Sequence, residues 1–240
     1  LGTEQVQIVC GAKNVEAGQF VPVATVGCNL GNNFIIKEAK LRGVESNGMI
    51  CSATELGLPK LNDGILELDD SIGELVLGKE LKEYSKLNDD IIEIGLTANR
   101  GDCLSINGIV RELGAFYSIV LIECDKKINY NKLGIGQLLE IECDKHIDSS
   151  LSFIVIDFSD FKLNILQKLR TAIIGKFQEN NDVKNILTYT THTTGVILNA
   201  YSKEKTIKGE NLNIMYIKKD ELGFDNIYGT EQLSKICVEH

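Results

Sequence analysis

The sequence predicts an α+β protein that opens with a small β-barrel and continues through a small α/β segment into a mixed α+β region. Three observations carry this expectation. Short runs rich in β-branched residues alternate with Gly, Asn and Pro over residues 1–68. A polar loop at 97–102 then leads into an apolar pattern of helical period. From about residue 123 strand-like and helix-like patterns are interleaved. The expected boundaries are therefore 1–84, 85–122 and 123–240.

Taken in order, Val6–Cys10 reads as a strand ended by Gly11, and Phe20–Gly27 as a second, with Pro22 marking an edge or bulge. Phe34–Lys37 and Ala39–Val44 follow a turn at Gly31-Asn32-Asn33. Ser46-Asn47-Gly48 is a tight-turn signal, and Gly64–Leu68 is one more strand. Many short strands separated by turn residues suit a closed or partly open barrel, for which the OB-fold is a common answer. Lys79–Leu87 is expected to form a short helix and Ile91–Leu96 an apolar strand. Asp102 is expected to cap a helix running to about Tyr117, with Ile106, Ile109, Val110, Leu113 and Phe116 on one face. Further on, 151–158 reads as a strand, and 162–178 as an amphipathic helix burying Leu163, Leu166, Leu169, Ile173 and Phe177. The Thr-rich stretch 186–194 reads as a strand, followed by strands near 212–217 and 235–238.

Composition narrows the function classes. With 43% hydrophobic and 25% charged residues the chain is ordinary globular protein, and no apolar run approaches the length of a membrane span. Its seven cysteines are odd in number, lie 18 or more residues apart and form no CxxC or Cys/His cluster. Reduced, mostly buried thiols in the cytoplasm are expected, with no zinc site. A net charge of −9 opposes generic nucleic-acid binding, but the charge is uneven. Residues 1–60 hold five Lys/Arg against five acids, whereas 61–100 hold four against ten. Any polyanion contact therefore favours the first segment.

No familiar catalytic loop is present: the sequence lacks GxxxxGK[ST], GxSxG and HExxH. If 186–194 is a strand, period-2 alternation puts Thr188, Thr190, His192 and Thr194 on one face. Such a face lines a polar pocket or simply meets solvent.

Two segments carry a resemblance. The first runs from Ile8 to Asn14 and then from Lys40 to Gly57, where the pattern RGxxSxGMxCSxxELG is complete. It resembles the tRNA-binding OB module of several tRNA synthetases and free-standing tRNA-binding proteins. The second is Thr97-Ala98-Asn99-Arg100-Gly101-Asp102-Cys103-Leu104-Ser105, followed by Gly108-Ile109-Val110-Arg111-Glu112-Leu113. It is similar to the stretch that follows this module in beta subunits of phenylalanine–tRNA ligase. The resemblance covers residues 1 to about 120, and its start falls inside the module, after the first strands.

The resemblance implies an α2β2 enzyme that uses ATP and magnesium to attach phenylalanine to its tRNA. Its catalytic centre lies in the alpha subunit, so no catalytic residue, metal ligand or cofactor is expected in this chain. The expected partners are phenylalanine tRNA and the alpha subunit, with no membrane. Lys37, Lys40 and Arg42, close together in sequence, are the expected phosphate contacts. A module that serves mainly as a protein–protein platform is the alternative.

By position, 123–240 corresponds to the front of an editing-type domain, which in the family removes tyrosine misattached to phenylalanine tRNA. Here the sequence departs from the family. Its pocket Thr-Asn pair falls on Leu187-Thr188 and its pocket His on Asn199. An editing pocket would have to be built from Thr188, His192 and Asn199, and the expectation is that editing is weak or lost.

Overall fold

The computed structural model describes residues 1–2, 4–122, 135–137, 139–143, 152–156, 161–202, 206–217 and 234–239. It is a mixed α/β structure with few helices and small sheets. It divides into two compact units, Leu1–Glu93 with Leu163–Asn185, and Ile94–Lys162 with Ile186–His240.

In the first unit, β1 (Val23–Thr25) pairs antiparallel with β4 (Gly48–Ile50), and β2 (Ala39–Leu41) with β3 (Val44–Ser46). Isolated bridges join Phe20 to Leu68 and Asn29 to Ile35. The β2–β3 connection is a two-residue turn in which Arg42 and Gly43 both have positive φ, 50° and 85°. Both central residues of a type I′ turn need that conformation, so the tight turn sits here rather than at Ser46–Gly48. Asn47 only separates β3 from β4, and its N–H donates to the Gln7 carbonyl. Val6–Cys10 forms no ladder among the described residues; the Val9 N–H donates to Ser46 Oγ instead.

Asn14 closes the unit in place of a strand. Its Oδ1 accepts from the Ile65 N–H at 3.0 Å and its Nδ2 donates to the Ile65 carbonyl at 2.9 Å. A Cβ at Gly64 would stand 2.0 Å from that Oδ1, so only glycine admits the clamp.

The core gathers Ala53, Leu61, Leu66, Ile72 and Tyr84 around Ile165 and Leu169 of α2 (Ile165–Ile173). Leu166 and Phe177 pack against it as expected, but Ile173 is exposed and Ile165 takes the buried place. Asn164 caps α2 in a reciprocal arrangement with Gln167. Asp69 supplies a second, long-range cap. One carboxylate oxygen accepts from the Ser71 N–H at 3.0 Å, the other from the Ile165 N–H at 2.7 Å. The helix expected at Lys79–Leu87 shrinks to a 3-10 turn, Leu81–Glu83. Tyr84 leaves it with extended backbone, burying its ring while its hydroxyl accepts from the Val76 N–H.

In the second unit, β6 (Ser152–Ile156) and β7 (Ile197–Ser202) both pair parallel with β10 (Ser234–Glu239), which lies between them. A second sheet orders β5 (Leu139–Cys143), β9 (Asn213–Ile217) and β8 (Ile207–Lys208), with β5–β9 parallel and β8–β9 antiparallel. The expected strand at 151–158 is β6, its residues 151, 157 and 158 lying outside the described ones. Ile91–Leu96 forms no strand: it finds no ladder partner among the described residues, and Ile92 is 80% exposed.

The helix α1 (Ile106–Tyr117) ends where expected but is capped by Ser105, whose Oγ accepts from the Gly108 N–H, not by Asp102. Its apolar face is largely exposed within its unit: Ile106, Val110, Leu113 and Phe116 all meet solvent. The strand expectation for the Thr-rich stretch is overturned outright, since α3 (Asp182–Thr194) is a helix. Asn181 Oδ1 accepts from the Lys184 N–H at its start, and Gly195 with φ 79° ends it. Thr193 and Thr194 donate to the carbonyls of Tyr189 and Thr190, so the hydroxyls are satisfied within a helix. Strand propensity is a weak prior against two such caps.

Because Asp69 caps two N-termini, its variants should be graded. Asp69→Ala is expected to lower stability by about 1–3 kcal/mol, and Asp69→Asn, keeping one acceptor oxygen, by about half as much. Denaturant melts of the two variants check this; equal losses would show that the carboxylate does not work through both oxygens.

Candidate nucleic-acid interface

The interface expected in the first segment is built on the β2–β3 hairpin. Lys40 lies on β2 opposite Glu45 of β3, Arg42 occupies the turn, and Lys37 precedes the hairpin. All three are exposed, and none makes a salt bridge among the described residues. By contrast Lys60 pairs with Asp63 and Lys82 with Glu80, both at 2.5 Å. In and just before the hairpin, the apolar side chains of Phe34, Ile35, Leu41 and Val44 are also exposed.

The pattern RGxxSxGMxCSxxELG is explained almost position by position by backbone needs. Arg42-Gly43 makes the turn. Ser46, 3% exposed, accepts from the Val9 N–H and donates to the Gly48 carbonyl, pinning the opening segment to the hairpin. A Cβ at Gly48 would meet the Ala24 carbonyl at 3.0 Å and Ile8 Cδ1 at 3.1 Å, and its φ of 155° adds a second demand for glycine. Cys51 is fully buried, and burial pushes its thiol up to about 11. Glu55 accepts from both the Ser52 N–H at 2.6 Å and the Ser52 hydroxyl at 2.8 Å, fixing the 3-10 turn Thr54–Leu56. Gly57, φ 74°, ends that turn. The pattern is a signature of a fold; Lys37 and Lys40 lie just before it and Arg42 opens it.

The second motif is also structural. Arg100 donates to both oxygens of Asp102, through Nε at 3.1 Å and Nη2 at 3.0 Å, and to both oxygens of Glu112 on α1. Asp102, Cys103 and Glu112 have metal-ligand spacing, but the guanidinium already fills the place where a cation would sit. Hydrogen bonds from Arg100 hold the Asp102 carboxyl down at about 2. Gly108 is required because a Cβ there would stand 1.9 Å from the Asp102 carbonyl oxygen. The motif clamps the 3-10 turn Gly101–Cys103 onto the first turns of α1.

Of the residues expected near an editing pocket, Thr188 and His192 lie one turn apart on α3 and share a face. Thr190 and Thr194 turn away from it, so the four-residue polar face does not exist. Asn199 lies on β7, on the side of the strand that carries buried Tyr201.

Known proteins share both motifs' surroundings. Residues 1–75 match the family described as putative tRNA binding domain. A phenylalanine–tRNA ligase beta subunit from Wolinella succinogenes is 46% identical over 250 residues, covering 99% of this chain and 31% of the relative. The Helicobacter pylori (strain J99) beta subunit is 46% identical over 241 residues, covering the whole chain and 30% of the relative. That of Campylobacter jejuni serotype O:2 is 49% identical over 203 residues, covering 84% of the chain and 26% of the relative. The chain belongs to the phenylalanine–tRNA ligase beta-subunit family. It carries that family's tRNA-binding domain and spans about a third of its relatives' length. No helix among the described residues is long and apolar enough to cross a membrane.

The sequence singles out the basic hairpin residues but not Phe34, Asn14 or Asp69. Phe34 is readable, as an aromatic directly after a Gly-Asn-Asn turn. The other two act across 51 and 96 residues and leave no local signal.

The Arg100 clamp makes a pH prediction. The folded Asp102 carboxyl sits below its ordinary 3.8, so its contribution is complete above about pH 4 and is lost as pH falls towards 2. Hydrogen exchange of the first turn of α1 should speed up across that window, and Asp102→Asn should abolish the step. A step that survives Asp102→Asn would assign it to another group.

Proposed function

We propose that this chain is the tRNA-handling part of a phenylalanine–tRNA ligase beta subunit, and that its β2–β3 hairpin contacts tRNA phosphates through Lys37, Lys40 and Arg42. The observation that carries this reading is three exposed cations without salt-bridge partners among the described residues, in a chain of net charge −9. Phosphate contacts position an RNA without reading its sequence, and they suit cations held on a rigid turn. In this reading the working enzyme is an α2β2 assembly in the cytoplasm. ATP and magnesium act at a site in the alpha subunit, so the chain supplies binding and scaffold, not aminoacylation chemistry. Residues 1–84 then act as an OB-type module.

The second reading is a protein–protein platform, favoured by the exposed apolar Leu41 and Val44 in the hairpin and Ile35 shortly before it. Two substitutions separate the readings without breaking the turn. Arg42→Asn keeps a residue that tolerates positive φ while removing the charge, and Lys40→Glu reverses one. Together they are expected to weaken phenylalanine tRNA binding by the two-subunit enzyme roughly 3- to 10-fold. The slope of log affinity against log salt should fall by about 0.7–0.9 for each phosphate that is no longer neutralised. Unchanged affinity and slope with a weakened subunit assembly would favour the platform.

For editing, the helix α3 leaves Thr188 and His192 without the strand face that suggested a polar pocket, and Asn199 lies on β7. The reading is that these residues do not hydrolyse tyrosine-charged phenylalanine tRNA. His192→Ala and Asn199→Ala should leave the release of tyrosine by the assembled enzyme unchanged. A drop of ten-fold or more in either variant would restore the pocket.

A further inference from the structure

Five residues before the basic hairpin, the fold leaves an aromatic ring exposed. Phe34 is 52% exposed, yet its backbone is locked on both sides: its N–H donates to the Gly31 carbonyl at 2.8 Å and its carbonyl accepts from the Leu30 N–H at 3.0 Å. Gly31, Asn32 and Asn33 before it all have positive φ, at 98°, 48° and 60°, residue types that adopt this region most readily. Two residues later Ile36 is buried, and its N–H and carbonyl bond to Cys28 and Gly27. An aromatic residue could have been placed where Ile36 sits; instead a buried aliphatic anchors the strip and leaves the ring in water. Lys37 follows three residues on, within about 11 Å of extended chain, and Lys40 and Arg42 come next in sequence.

An exposed ring close in sequence to exposed cations suits a polyanion with accessible π-faces, which is single-stranded nucleic acid. In a duplex stem each base face is covered by its neighbours, and the deep, narrow major groove of A-form RNA excludes side chains. We propose that Phe34 is a base-stacking residue, so that this surface takes unpaired nucleotides of the tRNA, a loop or a single-stranded end, and not a helical stem. This rests on the reading of the hairpin as a tRNA contact. The ring supplies a part of the affinity that salt does not screen, while Lys37, Lys40 and Arg42 supply the screened part. Because the backbone at 34 is already fixed, stacking costs little ordering.

The test uses the assembled two-subunit enzyme and phenylalanine tRNA, with Phe34→Leu, Phe34→Tyr and the Lys40→Glu/Arg42→Asn pair compared at several salt concentrations. Phe34→Leu keeps an apolar side chain and is expected to weaken binding roughly 5- to 150-fold with the salt slope unchanged. Phe34→Tyr, which keeps a ring, should bind within about two-fold of the parent, taken as near-neutral on the same scale. A short unpaired RNA oligonucleotide should compete with tRNA, and competition should weaken in Phe34→Leu; a blunt RNA duplex of equal length should not compete. If the charge pair weakens binding and Phe34→Leu does not, stacking is overturned while the phosphate contact stands. If neither weakens it, both fall. Equal losses in Phe34→Leu and Phe34→Tyr, or competition by the duplex alone, would also overturn the stacking assignment.

Discussion

The first unit depends on one carboxylate. Asp69 joins the turn at Asp70–Ile72 to the start of α2, accepting from the N–H groups of Ser71 and Ile165, the latter 96 residues away in sequence. Ser71 Oγ adds a bond from the Leu166 N–H at 3.4 Å. A negative charge at a helix N-terminus is favourable in its own right, and here it also fixes the rotation of α2. That rotation sends Ile165 and Leu169 into the core beside Leu61, Leu66, Ile72 and Tyr84. The residues of the tRNA-binding domain therefore do not close their core alone. They borrow one face of a helix that the chain reaches only after the whole 94–162 region.

The two motifs that identify the family are explained by folding. In the first, a type I′ turn, a buried hydroxyl pin, a close approach at Gly48, a buried thiol and a left-handed Gly57 account for the fixed positions. In the second, Arg100 binds two carboxylates at once and Gly108 lets α1 approach the Asp102 carbonyl. Residues with such demands tolerate few substitutes, which is why these strings are specific. They say which fold is present and place the surface. Arg42 alone belongs to both accounts, as a turn residue with positive φ and as an exposed cation.

What is legible in the sequence follows from range. α1 and α2 are readable because their periodicity and caps lie within a few residues, although Ser105 and not Asp102 caps the first. The β2–β3 hairpin reads as a single strand, Ala39–Val44, because its turn is hidden: Arg42 is a poor left-handed residue on paper, and Ser46-Asn47-Gly48 looks better. α3 reads as a strand because its threonines look β-like, while the features that decide it, Asn181 at the start and Gly195 at the end, sit outside the stretch. Asn185 is fully buried and clamps both backbone groups of Gln178 across seven residues, another tie the stretch itself does not show. The strand pattern at 91–96 is a fair reading of composition, but a strand exists only with a partner to bond.

Net charge is the weakest guide to this surface. At physiological salt, charges are screened over about 8 Å, so acids elsewhere on the surface act little on a ligand at the hairpin. Several of the acids at 61–100 are also engaged internally: Asp63 with Lys60, Glu80 with Lys82, and Asp69 with two helical N-termini. The local balance then decides, and at the hairpin it consists of Lys37, Lys40 and Arg42 against Glu38 and Glu45. A margin that small gives little affinity through charge alone. On the proposed reading, an acidic chain that holds RNA with few cations draws on a contact that salt does not screen, and an exposed ring on a hydrogen-bonded backbone is the form such a contact takes.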